Sequence, residues 1–238
     1  MEKNRIAENL EIVRNEIFAA EEKSGRKKGS VKLCAVSKFH SAEEVRAALN
    51  EGQVLFGENR VQEAYAKFGP AENSLRGKTK LHIIGSLQTN KVKKAVEIAD
   101  CIQSVDRENL LAEIERQCTK LNRKIEIYFE IHTGEDSKSG YVSRDDFFVS
   151  LENFEKGLYP HLVPRGLMTM APFTADEFLV RKSFSSLRNL RDESAKKFPS
   201  AELTELSMGM SGDFKIAIEE GSTMVRIGTA IFGERIPS

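Results

Sequence analysis

The stretch Val31-Lys-Leu-Cys-Ala-Val-Ser-Lys38 decides how the rest of the chain is read. It is a short, apolar, β-branched run that ends in a lysine. Ser41-Ala-Glu-Glu44 follows at once, with the serine and glutamate spacing of a capping box that opens a helix. A near-continuous apolar strand feeding straight into a helix is one unit of a parallel sheet covered by helices.

Working outward, the same rhythm recurs. Further runs stand near 53–58 (QVLFGE), 80–86 (KLHIIGS), 101–106 (CIQSVD) and 124–133 (KIEIYFEIHT). Three more follow near 162–171 (LVPRGLMTMA), 203–210 (LTELSMGM) and 223–233 (TMVRIGTAIFG). The stretches between them read as helices, with apolar faces at Val45, Ala48 and Leu49, at Leu110, Leu111, Ile114 and Leu121, and at Phe178, Phe184, Leu187 and Leu190. Eight such units predict an α/β fold: one (β/α)8 TIM barrel with an extra leading helix. That helix, within residues 1–24, carries Ile6, Leu10, Val13 and Ile17 on one face. A doubly wound open sheet is the alternative, weakened because no G-x-G-x-x-G opens the first unit. No linker or low-complexity segment divides the 238 residues, so a single domain over 1–238 is expected. The segment Gly134-Glu-Asp-Ser-Lys-Ser-Gly140 reads as a flexible excursion.

Thirty-six basic and 36 acidic residues balance, which argues against a nucleic-acid or anionic-membrane partner held by bulk charge. The charged amino terminus is neither a signal peptide nor a membrane span. Cys34, Cys101 and Cys118 are odd in number and lack a metal-ligand spacing, so no metal is expected and buried thiols in a reduced cytoplasm are.

In a barrel, function collects at the carboxyl ends of the strands. Lys38, Asn59, His82, Met168, Ser207, Ser211, Arg226, Gly228 and Thr229 stand at or near those ends. Ser41 and Asp106 read as helix caps. A lysine there loses water, which favours its neutral, nucleophilic form and Schiff-base chemistry with a carbonyl; the alternative is a lysine leaving the strand for solvent. Ser207-Met-Gly-Met-Ser211, with Gly212 and Asp213, leads into a short helix, and Gly228-Thr229 is expected beside it. Barrels commonly hold phosphate after strands seven and eight. Arg226 interrupts a core strand, so it needs either a carboxylate such as Asp106 or a ligand acceptor. Together these features suggest an aldehyde cofactor with a phosphate arm.

The chain resembles the pyridoxal phosphate homeostasis protein family, related to the amino-terminal barrel of alanine racemase. The resemblance rests on Ala35-Val-Ser-Lys38, Phe56-Gly-Glu-Asn59, His82-Ile-Ile-Gly-Ser-Leu-Gln88 with Asn90-Lys91, and Ser137-Lys-Ser-Gly140. It continues through Gly166-Leu-Met168, Leu206-Ser-Met-Gly-Met-Ser211 and the run from Gly221 to Gly233. Thr89, and Gly212 before Asp213, depart mildly from the family pattern. The resemblance implies pyridoxal 5'-phosphate as cofactor, with Lys38 holding it as an internal aldimine and Arg226 facing the pyridine nitrogen. Ser211, Gly228 and Thr229 then contact the phosphate, and Asn59 and His82 line the same mouth. Met168 and Ser207, at the ends of strands six and seven, are expected in the cofactor-binding set beside them.

An arginine at the pyridine nitrogen donates hydrogen bonds and leaves the ring a weak electron sink. None of Tyr65, Tyr128, Tyr141 and Tyr159 falls at an expected strand end, and no second domain is expected beyond Pro237-Ser238 to supply another base. The expectation is therefore a monomeric carrier or buffer of pyridoxal phosphate, maintaining vitamin B6 and amino-acid pools, without strong catalysis and with apoenzymes as partners. A weak amino-acid racemase and a Schiff-base aldolase on a phosphosugar are the alternatives.

Overall fold

The structure is a computed structural model that describes residues 2–71, 74–134 and 139–234. Helix α1 (Glu2–Lys23) leads into β1 (Lys32–Val36), α2 (Ala42–Asn50), β2 (Leu55–Glu58) and α3 (Val61–Phe68). Next come β3 (Lys80–Ile83), a 3₁₀ turn at Thr89–Lys91, α4 (Val92–Ile98), β4 (Cys101–Val105), α5 (Glu108–Leu121), β5 (Ile125–Glu130) and α6 (Arg144–Glu155). The chain continues through β6 (Leu162–Met168), α7 (Glu177–Lys197), β7 (Glu205–Ser207), α8 (Phe214–Glu219), β8 (Met224–Ile227) and the short α9 (Thr229–Phe232).

All eight strands are parallel and close into a barrel in sequence order, β8 returning to β1. The expected (β/α)8 barrel with its leading helix is the fold. Alternation along the strands sorts the side chains. Ala35, Phe56, Ile83, Ile102, Phe129, Leu167, Leu206 and Val225 belong to the main core formed with the buried helix faces, while Cys34, Cys101, Tyr128, Met168 and Met224 form a separate buried cluster. The apolar stripe of α1 is fully used: Ile6, Leu10, Val13 and Ile17 are buried, and the helix lies against α2, α8 and α9.

Several local expectations are corrected. The last run splits at Gly228, so residues after Ile227 turn into α9 instead of continuing the strand. Leu121 and Phe178 are exposed, one as the last residue of α5 and the other in the first turn of α7. The Ser41 capping box forms with Glu44, but Asp106 does not cap α5; Arg107 takes that position and turns its guanidinium onto the Asp106 carboxylate. The residues Ser137-Lys138 of one motif, most of the expected excursion, and Pro237-Ser238 lie outside the described residues.

Candidate functional site

Strand β1 ends at Val36, and Lys38 occupies the turn beyond it, half-buried instead of enclosed within the strand. Closure of the barrel then does what no local pattern can. The β1–β8 ladder pairs Ala35 with Ile227, so the residues after each strand emerge side by side. Val36, Lys38, His40, Gly228, Thr229 and Gly233 line one cleft of about 30 Å³. Its volume suits a small group, not a ring, so it is one corner of a mouth. A Cβ on Gly228 would stand 3.0 Å from the Val36 carbonyl oxygen, so glycine lets the two chain ends close together here.

Asn59 follows β2 and lines a larger cavity of about 530 Å³ with Arg60, Ser86, Gln88 and Lys91, beyond the carboxyl ends of β2 and β3. Met168 ends β6, buried against Cys34, Cys101, Tyr128 and Met224. Ser207 ends β7 and is buried. Ser211 stands exposed in the loop before α8. That loop turns at Gly209, whose φ of +98° favours glycine and where an added Cβ would stand 2.6 Å from Ala217 Cβ. The Met210 N–H donates to the Asp213 carboxylate (2.6 Å), so one donor of the expected phosphate cradle is already used within the loop.

Arg226 is buried on β8. Its partner is not Asp106. Nη1 donates to the Ser207 carbonyl (2.6 Å) and hydroxyl (2.9 Å), and Nη2 donates to the Thr169 carbonyl (2.7 Å). These oxygens belong to the carboxyl ends of β6 and β7, so the guanidinium spans the floor of the mouth. Burial pushes its pKa down, while the carboxylates of Glu130 and Asp213 oppose that. The guanidinium stays charged in any case, since arginine does not deprotonate in proteins.

A polar chain continues inward from Arg226. Ser207 Oγ donates to Gln103 Oε1 (2.6 Å), and Gln103 Nε2 meets His82 Nδ1 (2.6 Å). His82 is thus placed differently from expectation. It pairs in register with Cys101, the first residue of β4, and lines a cavity of about 350 Å³ with Lys80, Asp100, Ile125 and Glu126, at the amino ends of the strands. The reason is length: β3 has only four residues, and its third side chain points into the barrel below the mouth. Burial pushes the His82 imidazole down to about 3, and Lys32 and Lys80 add to the effect, so it is neutral.

Donor atoms of His82, Cys101 and Glu126 lie within 4.8 Å of one another, a grouping that spacing could not reveal because three strands supply it. Glu126 is engaged by Arg165 (2.9 Å), and Lys80, Arg123 and Lys124 line the same cavity, which disfavours a cation. Burial raises the thiol of Cys34 to about 12 and pushes that of Cys101 well above its ordinary value, so both stay protonated.

A closed barrel with a lysine past β1, a glycine-threonine turn past β8 and an arginine across the floor defines a barrel of the alanine racemase amino-terminal type. The sequence profile of the family described as "Alanine racemase, N-terminal domain" matches residues 3–236. The chain is 38% identical over 232 residues to the pyridoxal phosphate homeostasis protein of Vibrio cholerae, covering 97% of this chain and 96% of that protein. It is 40% identical over 229 residues to the protein of the same name from Aquifex aeolicus, covering 96% and 97%. The structure of PipY of Synechococcus elongatus with pyridoxal phosphate bound superposes with a TM-score of 0.84 at 36% identity, covering 96% of this chain and 100% of that one. Alanine racemase from Streptomyces coelicolor, at 17% identity and a TM-score of 0.71, shares the fold over 57% of its own length. The chain belongs to the pyridoxal phosphate homeostasis protein family.

Proposed function

We propose that the protein binds pyridoxal 5'-phosphate reversibly and serves as a carrier or buffer of it, sustaining vitamin B6 and amino-acid homeostasis without strong catalysis of its own. One observation carries this reading: Lys38 shares a cleft with Gly228 and Thr229, on a barrel 36% identical to the pyridoxal phosphate-bound PipY. The donor set fits the group. A primary amine stands beside a glycine-threonine turn at one edge of the mouth, and a fixed guanidinium lies on its floor.

When bound, pyridoxal phosphate supplies an aldehyde that condenses with a primary amine, losing water. Lys38 is that amine. Gly228 and Thr229, with Ser211 from the neighbouring loop, take the phosphate. Arg226 spends three of its five N–H groups on Ser207 and Thr169, leaving two for a ligand acceptor such as a ring nitrogen. A nitrogen facing a donor that never deprotonates is held unprotonated, which disfavours carbanion chemistry. Asn59 completes the mouth, Met168 and Ser207 support its floor, and His82 acts from below through Gln103.

Three of the four tyrosines are engaged away from the mouth, which supports a reading without a second base. Tyr128 is buried inside the barrel, the Tyr141 hydroxyl bonds Ser150, and that of Tyr159 bonds Glu108. Three buried free cysteines suit a reducing cytoplasm. No helix among the described residues is long and apolar enough to cross a membrane. Apoenzymes that need the cofactor are the recipients in this reading, and the carrier acts as a monomer.

The test is direct. Borohydride reduction of the protein with pyridoxal phosphate should leave a stable adduct at Lys38, located by mass spectrometry, and Lys38→Ala should lose both the adduct and the visible absorption band. An adduct persisting at another lysine in that variant would refute the assignment.

A further inference from the structure

Lys38 itself is held from behind. Its two chain neighbours are tied into one network built around a buried ion pair. Ser37 Oγ donates to Glu58 Oε1 (2.7 Å), and the Ser37 carbonyl accepts from Lys67 Nζ (2.7 Å). On the other side, the Phe39 N–H donates to Glu63 Oε1 (2.5 Å). Lys67 closes the network by donating to Glu58 (2.8 Å) and to Glu63 (2.9 Å). Glu58 faces outward from the end of β2, while Glu63 and Lys67 come from one face of α3, four residues apart.

Three features mark this network as more than a strut between sheet and helix. The first is its cost. Glu58 is fully buried and Lys67 is 8% exposed, and Glu58 Oε2 has no hydrogen-bond partner among the described residues. A buried pair of this kind is weak evidence for stability, since apolar residues of similar volume would serve as well. The second is its aim: three of its bonds end on residues 37 and 39, the immediate flanks of Lys38. The third is the turn. Phe39 has a φ of +68°, an unfavourable region for a residue with an aromatic side chain, and such backbone persists only where its surroundings over-determine it.

We infer that Glu58, Lys67 and Glu63 are positioning residues that fix the turn carrying Lys38, so that its amine is presented to the mouth in one orientation. They act through the backbone on either side of Lys38 and need no contact with the ligand. The inference rests on the reading of Lys38 as the attachment point for pyridoxal phosphate.

Glu63 offers the clean test, because its carboxylate lies at the edge of the network and is partly exposed. Glu63→Ala removes the acceptor for the Phe39 N–H, and Glu63→Gln keeps one. If the competent turn falls to about a tenth of the population, the apparent affinity for pyridoxal phosphate, read from the visible band, weakens about tenfold. The adduct should still form at Lys38, the thermal midpoint should stay that of the parent, and Glu63→Gln should bind within about twofold of the parent.

The double substitution Glu58→Met with Lys67→Met removes the ion pair without stranding a charge, and it should show the same loss at Lys38. Parent-like affinity in both Glu63→Ala and the double variant would overturn the positioning role. So would an affinity loss in Glu63→Ala that tracks a lowered thermal midpoint and is not restored by glutamine. Absence of any Lys38 adduct in the unsubstituted protein would instead overturn the functional reading on which this one stands.

Discussion

A neutral histidine in the middle of a barrel leaves a trace in the stability of the protein. His82 has its pKa pushed down to about 3 in the fold, whereas an unfolded histidine titrates near 6.5. The unfolded chain therefore binds the extra proton between those values. Stability from this group is complete above about pH 6.5 and drains away as pH falls toward about 3. Between pH 7 and 4.5 the loss attributable to His82 is about 2–3 kcal/mol. Urea unfolding of the parent and of His82→Gln at both pH values checks this. The substituted protein should show the smaller acid loss, and equal losses would assign the acid limb to other groups. At this scale Lys38 and Arg226 were both legible in the sequence, because a cation ending or interrupting an apolar run stands out. The partners of Arg226 were not, since backbone carbonyls from two other strands hold it and a carboxylate does not.

Helices and strands were read well where period and capping agreed. The leading helix shows this best: every residue of its apolar stripe is buried, and its seat against α2, α8 and α9 closes the outer layer beside the β1–β8 seam. Leu10 is fully buried there, so Leu10→Ala should cost about 2–5 kcal/mol in chemical unfolding, from lost transfer energy plus the cavity left behind. A cost under about 1 kcal/mol would mean that α1 can collapse onto its neighbours or detach without consequence. Boundaries were harder. The last run from Thr223 reads as one strand, yet Gly228 turns the chain and gives Thr229 to a helix. Apolar composition alone cannot place that break, because both Ile227 and Ile231 are buried, one in the sheet and one in the helix.

The whole molecule makes the site by closing on itself. Residues near 38 and near 228 meet because the eighth strand pairs with the first, so a ligand bound between them bridges the seam of the barrel. On the proposed reading, pyridoxal phosphate at about 100 times its dissociation constant should add about 2.7 kcal/mol to global stability. For a chain of this size that is a rise of roughly 5–10 °C in thermal midpoint. Lys38→Ala should lose most of the rise; a full rise in that variant would show that the cofactor is held without the lysine. The amino-acid sequence by itself determined the repeating strand-and-helix units, the leading helix, the capping of α2 and the candidate amine, because each depends on neighbours within a few residues. Only the tertiary structure decided that Gly228 and Thr229 share a cleft with Lys38, that His82 lies below the mouth, and that Glu58, Lys67 and Glu63 grip the turn around the lysine. Those relations depend on strand length, register and closure, which bring together side chains that no local spacing connects.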